Sequence, residues 1–248
     1  MESQRRLRAY EGVWLTTLFT VLTLVACDAD EPQSPLEMGG TGEVAQGIDP
    51  FCATRPKIEF CEDFDTDGLP GAFDDQTLDS STMVIDSDEA SSLPNSLLIS
   101  VESGGSAALR HQFQAGGKLR LFGMLYVSEL GAGDVEIGAF ELGDYRVSFG
   151  ASEDGSLWGS EGGERRAGNG SLPVGRWASF RWDVNIYDDG SGTANLRFGF
   201  DTIVDMDDLS PPAMSEARPI AQVGLSEATG AWTMRLDTIT VAVEEASQ

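Results

Sequence analysis

Lysine is almost missing from this 248-residue chain: Lys57 and Lys118 are its two lysines, and His111 is its one histidine. With 41 acidic residues against 16 basic ones, the formal net charge is −25. Affinity for phosphates comes from the lysines and arginines that neutralise them, so a surface of this sign repels nucleic acid and anionic membrane. One histidine and three cysteines, Cys27, Cys52 and Cys61, supply no zinc-type ligand set. The lone histidine also leaves Ser-His-Asp catalysis poorly supplied. Helical periodicity and internal repeats are both missing, which removes bundles and solenoids. No apolar run reaches the roughly 20 residues that a membrane-spanning helix needs.

What is present begins at the N-terminus. Arg5, Arg6 and Arg8 precede an uncharged apolar run from Val13 to Ala26, and Cys27 follows. A positive start, a short apolar run and a small residue before the cut are the parts of a secretion signal. Leu24-Val25-Ala26-Cys27 resembles the bacterial lipobox. The resemblance implies cleavage before Cys27, lipid on that cysteine, and an extracytoplasmic protein whose partner is a bacterial membrane. Several acyl chains, each burying roughly 0.8 kcal/mol per CH₂, make a lasting anchor. Asp28 resembles an inner-membrane retention signal whose meaning varies between lineages, so inner and outer membranes both stay open. With Cys27 taken by lipid, Cys52 and Cys61 are left to pair as a disulfide in an oxidising compartment.

Three segments follow. Residues 1–26 read as the signal peptide, and 27–50, rich in Pro, Gly, Ser and acids, as the lipidated cysteine and a flexible tether. Residues 51–248 read as one folded domain, in which apolar residues alternate over short runs between Gly, Asp, Asn and Ser clusters. From Trp177 to Tyr187, Ala178, Phe180, Trp182, Val184 and Ile186 point one way and the polar residues the other. After a turn at 188–192, Ala194, Leu196, Phe198 and Phe200 continue the apolar face. Leu119, Leu121, Leu125 and Val127 alternate with Arg120, Phe122, Met124 and Tyr126, the pattern of a central strand. Trp158 lies in the Gly/Ser-rich stretch 152–171, as a loop-borne contact or a core plug. The economical architecture is all-β: a two-sheet antiparallel β-sandwich of jelly-roll type.

The order of motifs carries a family resemblance. Phe60-Cys61-Glu62-Asp63-Phe64-Asp65 opens the domain, Gly175-Arg176-Trp177 leads into the long strand, and Val223-Gly224-Leu225 comes later. Trp232 through Leu236-Asp237-Thr238-Ile239-Thr240-Val241 closes it. This order resembles the concanavalin A-like jelly rolls, which include laminin-G-like domains, laminarinase-type glycoside hydrolases and bacterial surface lipoproteins. The resemblance covers roughly residues 51–244.

It implies three kinds of site. The laminarinase-type motif Glu-x-Asp-x-x-Glu has its two glutamates at Glu136 and Glu141, as nucleophile and acid, but Gly138 stands where the aspartate belongs. Retaining hydrolysis needs carboxyls about 5–5.5 Å apart. An odd spacing puts 136 and 141 on opposite faces of a regular strand, and a bulge near Gly138-Ala139 brings them together. Relatives also hold a structural calcium between first and last strands, where Glu62, Asp63 and Asp237 fall here. Asp63-x-Asp65-x-Asp67-Gly68 copies the start of an EF-hand loop, but Pro70 inside it and the lack of flanking helices argue against one. Carbohydrate binding without catalysis is the third kind. Trp177, Arg181, Asp183, Asn185, Tyr187, Asn195 and Arg197 supply an aromatic platform and planar polar groups on the outer face of one hairpin. The resulting expectation is a polysaccharide-binding or structural surface domain, with a glycoside hydrolase and a protein-binding scaffold as the competing readings.

Overall fold

In the computed structural model the described residues are Cys52, 59–65, 73–114, 116–212 and 218–244. Cys27, the signal segment and the tether lie outside them.

All regular structure among these residues is β: β1 (Phe60–Glu62), β2 (Asp75–Asp86), β3 (Ser96–Gln112), β4 (Lys118–Tyr126), β5 (Val135–Leu142), β6 (Tyr145–Ala151) and β7 (Ser156–Glu161). There follow β8 (Glu164–Ser171), β9 (Trp177–Ile186), β10 (Gly192–Phe198), β11 (Asp201–Leu209), β12 (Ile220–Ser226) and β13 (Trp232–Glu244). Neighbouring strands pair antiparallel along the path β11-β10-β9-β4-β13-β3-β12-β5-β6-β7-β8, with β1 on β13 and β2 on β3. Two long strands make this path a sandwich. Leu97 to Val101 of β3 pair with β13, and Ala107 to Gln112 pair with β12. β13 carries β3 along one edge over Trp232–Leu236 and β4 along the other over Arg235–Glu244. One layer is therefore β11-β10-β9-β4-β13, and the other is the far half of β3 with β12-β5-β6-β7-β8. At the open edge β11 lies beside β7 and β8, so the sandwich is nearly closed.

The alternation in the sequence explains the core. Phe180, Trp182 and Val184 of β9 and Leu119, Leu121 and Leu125 of β4 are removed entirely from water. Across the layers Phe149 of β6 meets Phe180 and Trp182, with ring centroids 5.5 Å apart in both pairs. Each such buried phenylalanine contributes about 1.5–3 kcal/mol. β4 is central, as its two apolar faces predict, between β9 and β13. Cys52 and Cys61 are joined by a disulfide with Cα atoms 5.4 Å apart, which ties the start of the domain to β1.

Two expectations are corrected. The inward pattern of β10 stops at Phe198: Gly199 turns the chain at φ +60°, and Phe200 stands fully in solvent. The stretch 152–171, read as carrying Trp158 on a loop or into the core, contains the β7–β8 hairpin. Gly168 and Gly170 of β8 are small because β11 closes over them; a Cβ on Gly170 would lie 2.7 Å from the Ile203 side chain.

Candidate functional site on the outer face of strands five to eight

The site starts from a bulge in β5. Glu136 pairs with Gly150 and Gly138 with Phe149, which leaves Ile137 as the extra residue. Ile137 and Gly138 both turn to the core, where a Cβ on Gly138 would meet the Phe149 ring at 2.6 Å and Leu121 at 3.1 Å. The parity of the strand changes there, one residue before the expected place. Glu136, Ala139 and Glu141 consequently share the outer face.

Both carboxylates are spoken for. Arg146 of β6 donates through Nη2 to Glu136 and through Nη1 to Glu141. Its Nε lies 3.3 Å from Glu136 Oε2. Arg110 of β3 ion-pairs with the second oxygen of Glu141. Ser226 Oγ donates to Glu136 Oε1 at 2.8 Å, and Gln222 Nε2 approaches the same oxygen at 3.3 Å. Glu136 is 3 % exposed, so its partners are nearly all protein. Burial works against the charge of Arg146, but Glu136 and then Glu141 outweigh it and hold the guanidinium above the usual arginine range.

Strand register extends these residues into a surface. Arg110, Gln222, Ala139, Ser148, Ser160 and Arg165 stand opposite one another in one row across six strands. A second row runs Ser226, Glu136, Gly150 and Trp158. The lack of a side chain at Gly150 seats the Trp158 ring. Arg165, ion-paired with Asp134, covers that ring with its Cζ 4.2 Å from the centroid. Ser148, Trp158 and Ser160 are 4–6 % exposed although they face outward, so this face is recessed. A recess of about 270 Å³ lies between Glu136, Arg146, Ser148, Trp158, Ser160 and Arg165. Asp144 borders both it and a wider cleft of about 930 Å³ past Tyr145, Pro211 and Ile220. Gln112 and Ile220 in turn border a third recess beside Arg110 and Asp74.

The residues expected on the β9–β10 hairpin do share the outer face of the other layer, but they line none of these recesses. Arg181 and Arg120 both hold Asp183, at 2.6 and 2.7 Å. Asn185 donates to Thr193, and Asn195 to Asp205. Trp177 donates to Glu89 and packs on Tyr126. Tyr187 is exposed beyond the end of β9, and Arg197 Nε is buried without a partner among the described residues.

Glu62, Asp63 and Asp237, the calcium ligands implied by the resemblance, each accept hydrogen bonds within the protein. Asp237 is fully buried and accepts from Ser91 N, Ser92 N, Ser92 Oγ and Thr238 Oγ1 at 2.6–3.0 Å. Glu62 accepts from Phe64 N, and Asp63 from Cys52 N. These carboxylates cap turns. Their neighbour Asp65 has one buried oxygen with no partner, and burial together with Asp63, Asp237 and Glu62 pushes it up to about 6. No three acidic, histidine or cysteine side chains among the described residues are arranged around a common metal position.

His111 packs between the rings of Phe60 and Phe113, borders the third recess, and has its Nδ1 3.2 Å from Asp74 Oδ2. Tyr145 donates to Glu161, and burial followed by that carboxylate raises its phenol.

Arg110, Arg146, Gln222 and Ser226 were not singled out from the sequence, although one signal was there. The tight Gly143-Asp144 turn of the β5–β6 hairpin places Arg146 opposite Glu141. Trp158 was noted, but as a loop-borne contact or a core plug.

No protein-family model matches the chain, and neither does any curated protein. Solved structures do match. An endo-β-1,4-glucuronan lyase from the fungus Trichoderma reesei superposes with TM-score 0.59 at 12 % identity, over 75 % of this chain and 95 % of that one. A PL-14 alginate lyase from Aplysia kurodai gives 0.59 at 11 %, over 75 % and 99 %. The cellulose-induced protein Cip1 gives 0.57 at 14 %, over 77 % and 100 %. At these identities the likeness is one of fold: this chain is an all-β jelly-roll sandwich.

Proposed function

We propose that the domain binds a polysaccharide without cleaving it, and that lipid on Cys27 holds it at a bacterial membrane. The observation that carries the first part is the clamping of Glu136 and Glu141 by Arg146 and Arg110. A retaining hydrolase must present one carboxylate to the anomeric carbon and a protonated carboxyl to the leaving oxygen. Here those oxygens are taken by guanidinium groups. Elimination chemistry instead needs a base for the proton beside a uronate carboxyl. Of the nearby candidates, Tyr145 is held by Glu161, and His111 lies between Phe60 and Phe113 with its Nδ1 against Asp74. The series of recesses, with shared borders at Asp144, Gln112 and Ile220, suits a polymer better than a small molecule. Fold likeness to polysaccharide lyases points the same way, as analogy.

Affinity electrophoresis against a panel of soluble polysaccharides, run beside assays for reducing ends and for unsaturated products, tests this reading. Retardation without either product is expected. Product formation that Glu136→Gln abolishes would refute it. Palmitate labelling in a bacterial host, lost in Cys27→Ala, tests the anchor.

A further inference from the structure

We infer that the recess beside Trp158 takes one uncharged glycosyl residue and turns uronates away; this rests on the polysaccharide-binding reading above. At about 270 Å³ the recess lies just under the size of drug-scale pockets, which fits a single sugar ring. Beside the carboxylates of Asp144 and Glu227, its polar groups include neutral ones. The Trp158 indole N–H is buried and donates to no acceptor among the described residues. The Ser148 and Ser160 hydroxyls line the same recess. An indole donor and two hydroxyls that donate or accept match the alternating hydroxyls of a sugar.

The charges point away from acidic sugars. Arg146 is committed to Glu136 and Glu141, and Arg165 to Asp134. The Arg146 fork that would recognise a carboxylate is taken at all three nitrogens, and one Nη of Arg165 is held by Asp134. Glu136, Asp144 and Glu227 also line the recess, so an entering uronate meets three carboxylates and two arginines already paired. Like charges brought together at a recognition surface suppress the wrong partner. Arg165 further occupies the Trp158 face, so the sugar is read through its hydroxyls rather than by stacking.

The test uses the full-length mature chain and three neutral polymers, β-1,4-glucan, β-1,4-mannan and β-1,4-galactan, each beside its C6-oxidised counterpart. At least one neutral polymer is expected to bind, with its oxidised form weaker by about tenfold or more. The Glu227→Gln/Asp144→Asn double variant is expected to narrow that gap. Ser160→Val and, as a milder change, Ser148→Ala are expected to weaken the neutral polymer with melting temperature preserved. An oxidised polymer bound as tightly as its parent, or a gap the double variant leaves unchanged, overturns this inference and leaves polysaccharide binding standing. Silence of all six polymers, with the panel also silent, removes both.

Discussion

Replacing Arg146 by methionine isolates the interaction on which the non-catalytic reading depends. The change keeps length and apolar contact but leaves Glu136, 3 % exposed, without its cation. Removing one partner of a buried ion pair costs about 3–5 kcal/mol. Arg146 itself is 28 % exposed, so the pair is partly screened and the lower end, about 3 kcal/mol, is appropriate. For a domain of this size that corresponds to a fall of roughly 6–12 °C in Tm. The loss is expected to shrink as pH falls, because a buried carboxyl without a cation is relieved by taking up a proton. Glu136→Gln in the same background should recover much of the stability, since Ser226 still reaches the side-chain oxygen. Thermal unfolding followed by circular dichroism between pH 5 and 8 measures all three. A Tm within about 1 °C of the parent, or a loss that ignores both pH and the second substitution, refutes the clamp.

Four further outcomes follow from the same structure. Gly138→Asp restores the aspartate of the hydrolase motif, yet its side chain would enter the core against Phe149; a loss of about 1–3 kcal/mol in urea unfolding and no glucanase activity are expected. Asp65 is raised to about 6, so its favourable contribution is complete below about pH 4 and is lost as pH rises through about 6. Asp65→Asn should then raise Tm at pH 7–8 by roughly 2–4 °C, about 1 kcal/mol after allowance for solvent screening, with the gain gone by about pH 4. The same scans with chelator or millimolar calcium should coincide; a calcium-dependent rise abolished in Asp65→Asn would instead assign an ion to that carboxylate. Opening the Cys52–Cys61 loop in Cys52→Ser/Cys61→Ser should cost about 2.5–3 kcal/mol of denaturation free energy by chain entropy.

Much of the fold was legible because burial and period agree. The alternation of Phe180, Trp182, Val184 and Ile186 survives intact as the inward face of β9, and β4 sits centrally as its two apolar sides require. Reading failed where small residues do a strand's work. Gly168 and Gly170 look like loop composition but mark the line along which β11 crosses β8. Phe200 continues the period of β10 by one step, yet Gly199 at φ +60° has already turned the chain, so the last apolar position falls in solvent. Periodicity cannot register a turn that begins inside its own pattern.

The site was legible in its acids and hidden in its bases. Spacing along one strand identified Glu136 and Glu141, and a bulge was foreseen as the condition for their meeting. What decides their chemistry comes from other strands: Arg146 across a hairpin, and Arg110, Gln222 and Ser226 from β3 and β12, far away in sequence. The bulge also gives the missing aspartate a physical reading. Once Ile137 and Gly138 both face the core, the position between the glutamates is no longer on the face at all, and a carboxylate there would be buried against Phe149 and Leu121. Glycine at 138 is thus part of the same change that brought the two glutamates onto one side. Two acids so close on a recessed face repel each other unless cations intervene. The arginines that make the arrangement stable are the groups that withhold those carboxylates from reaction, so in the proposed function this face recognises sugars by its neutral hydroxyls and indole rather than by its acids.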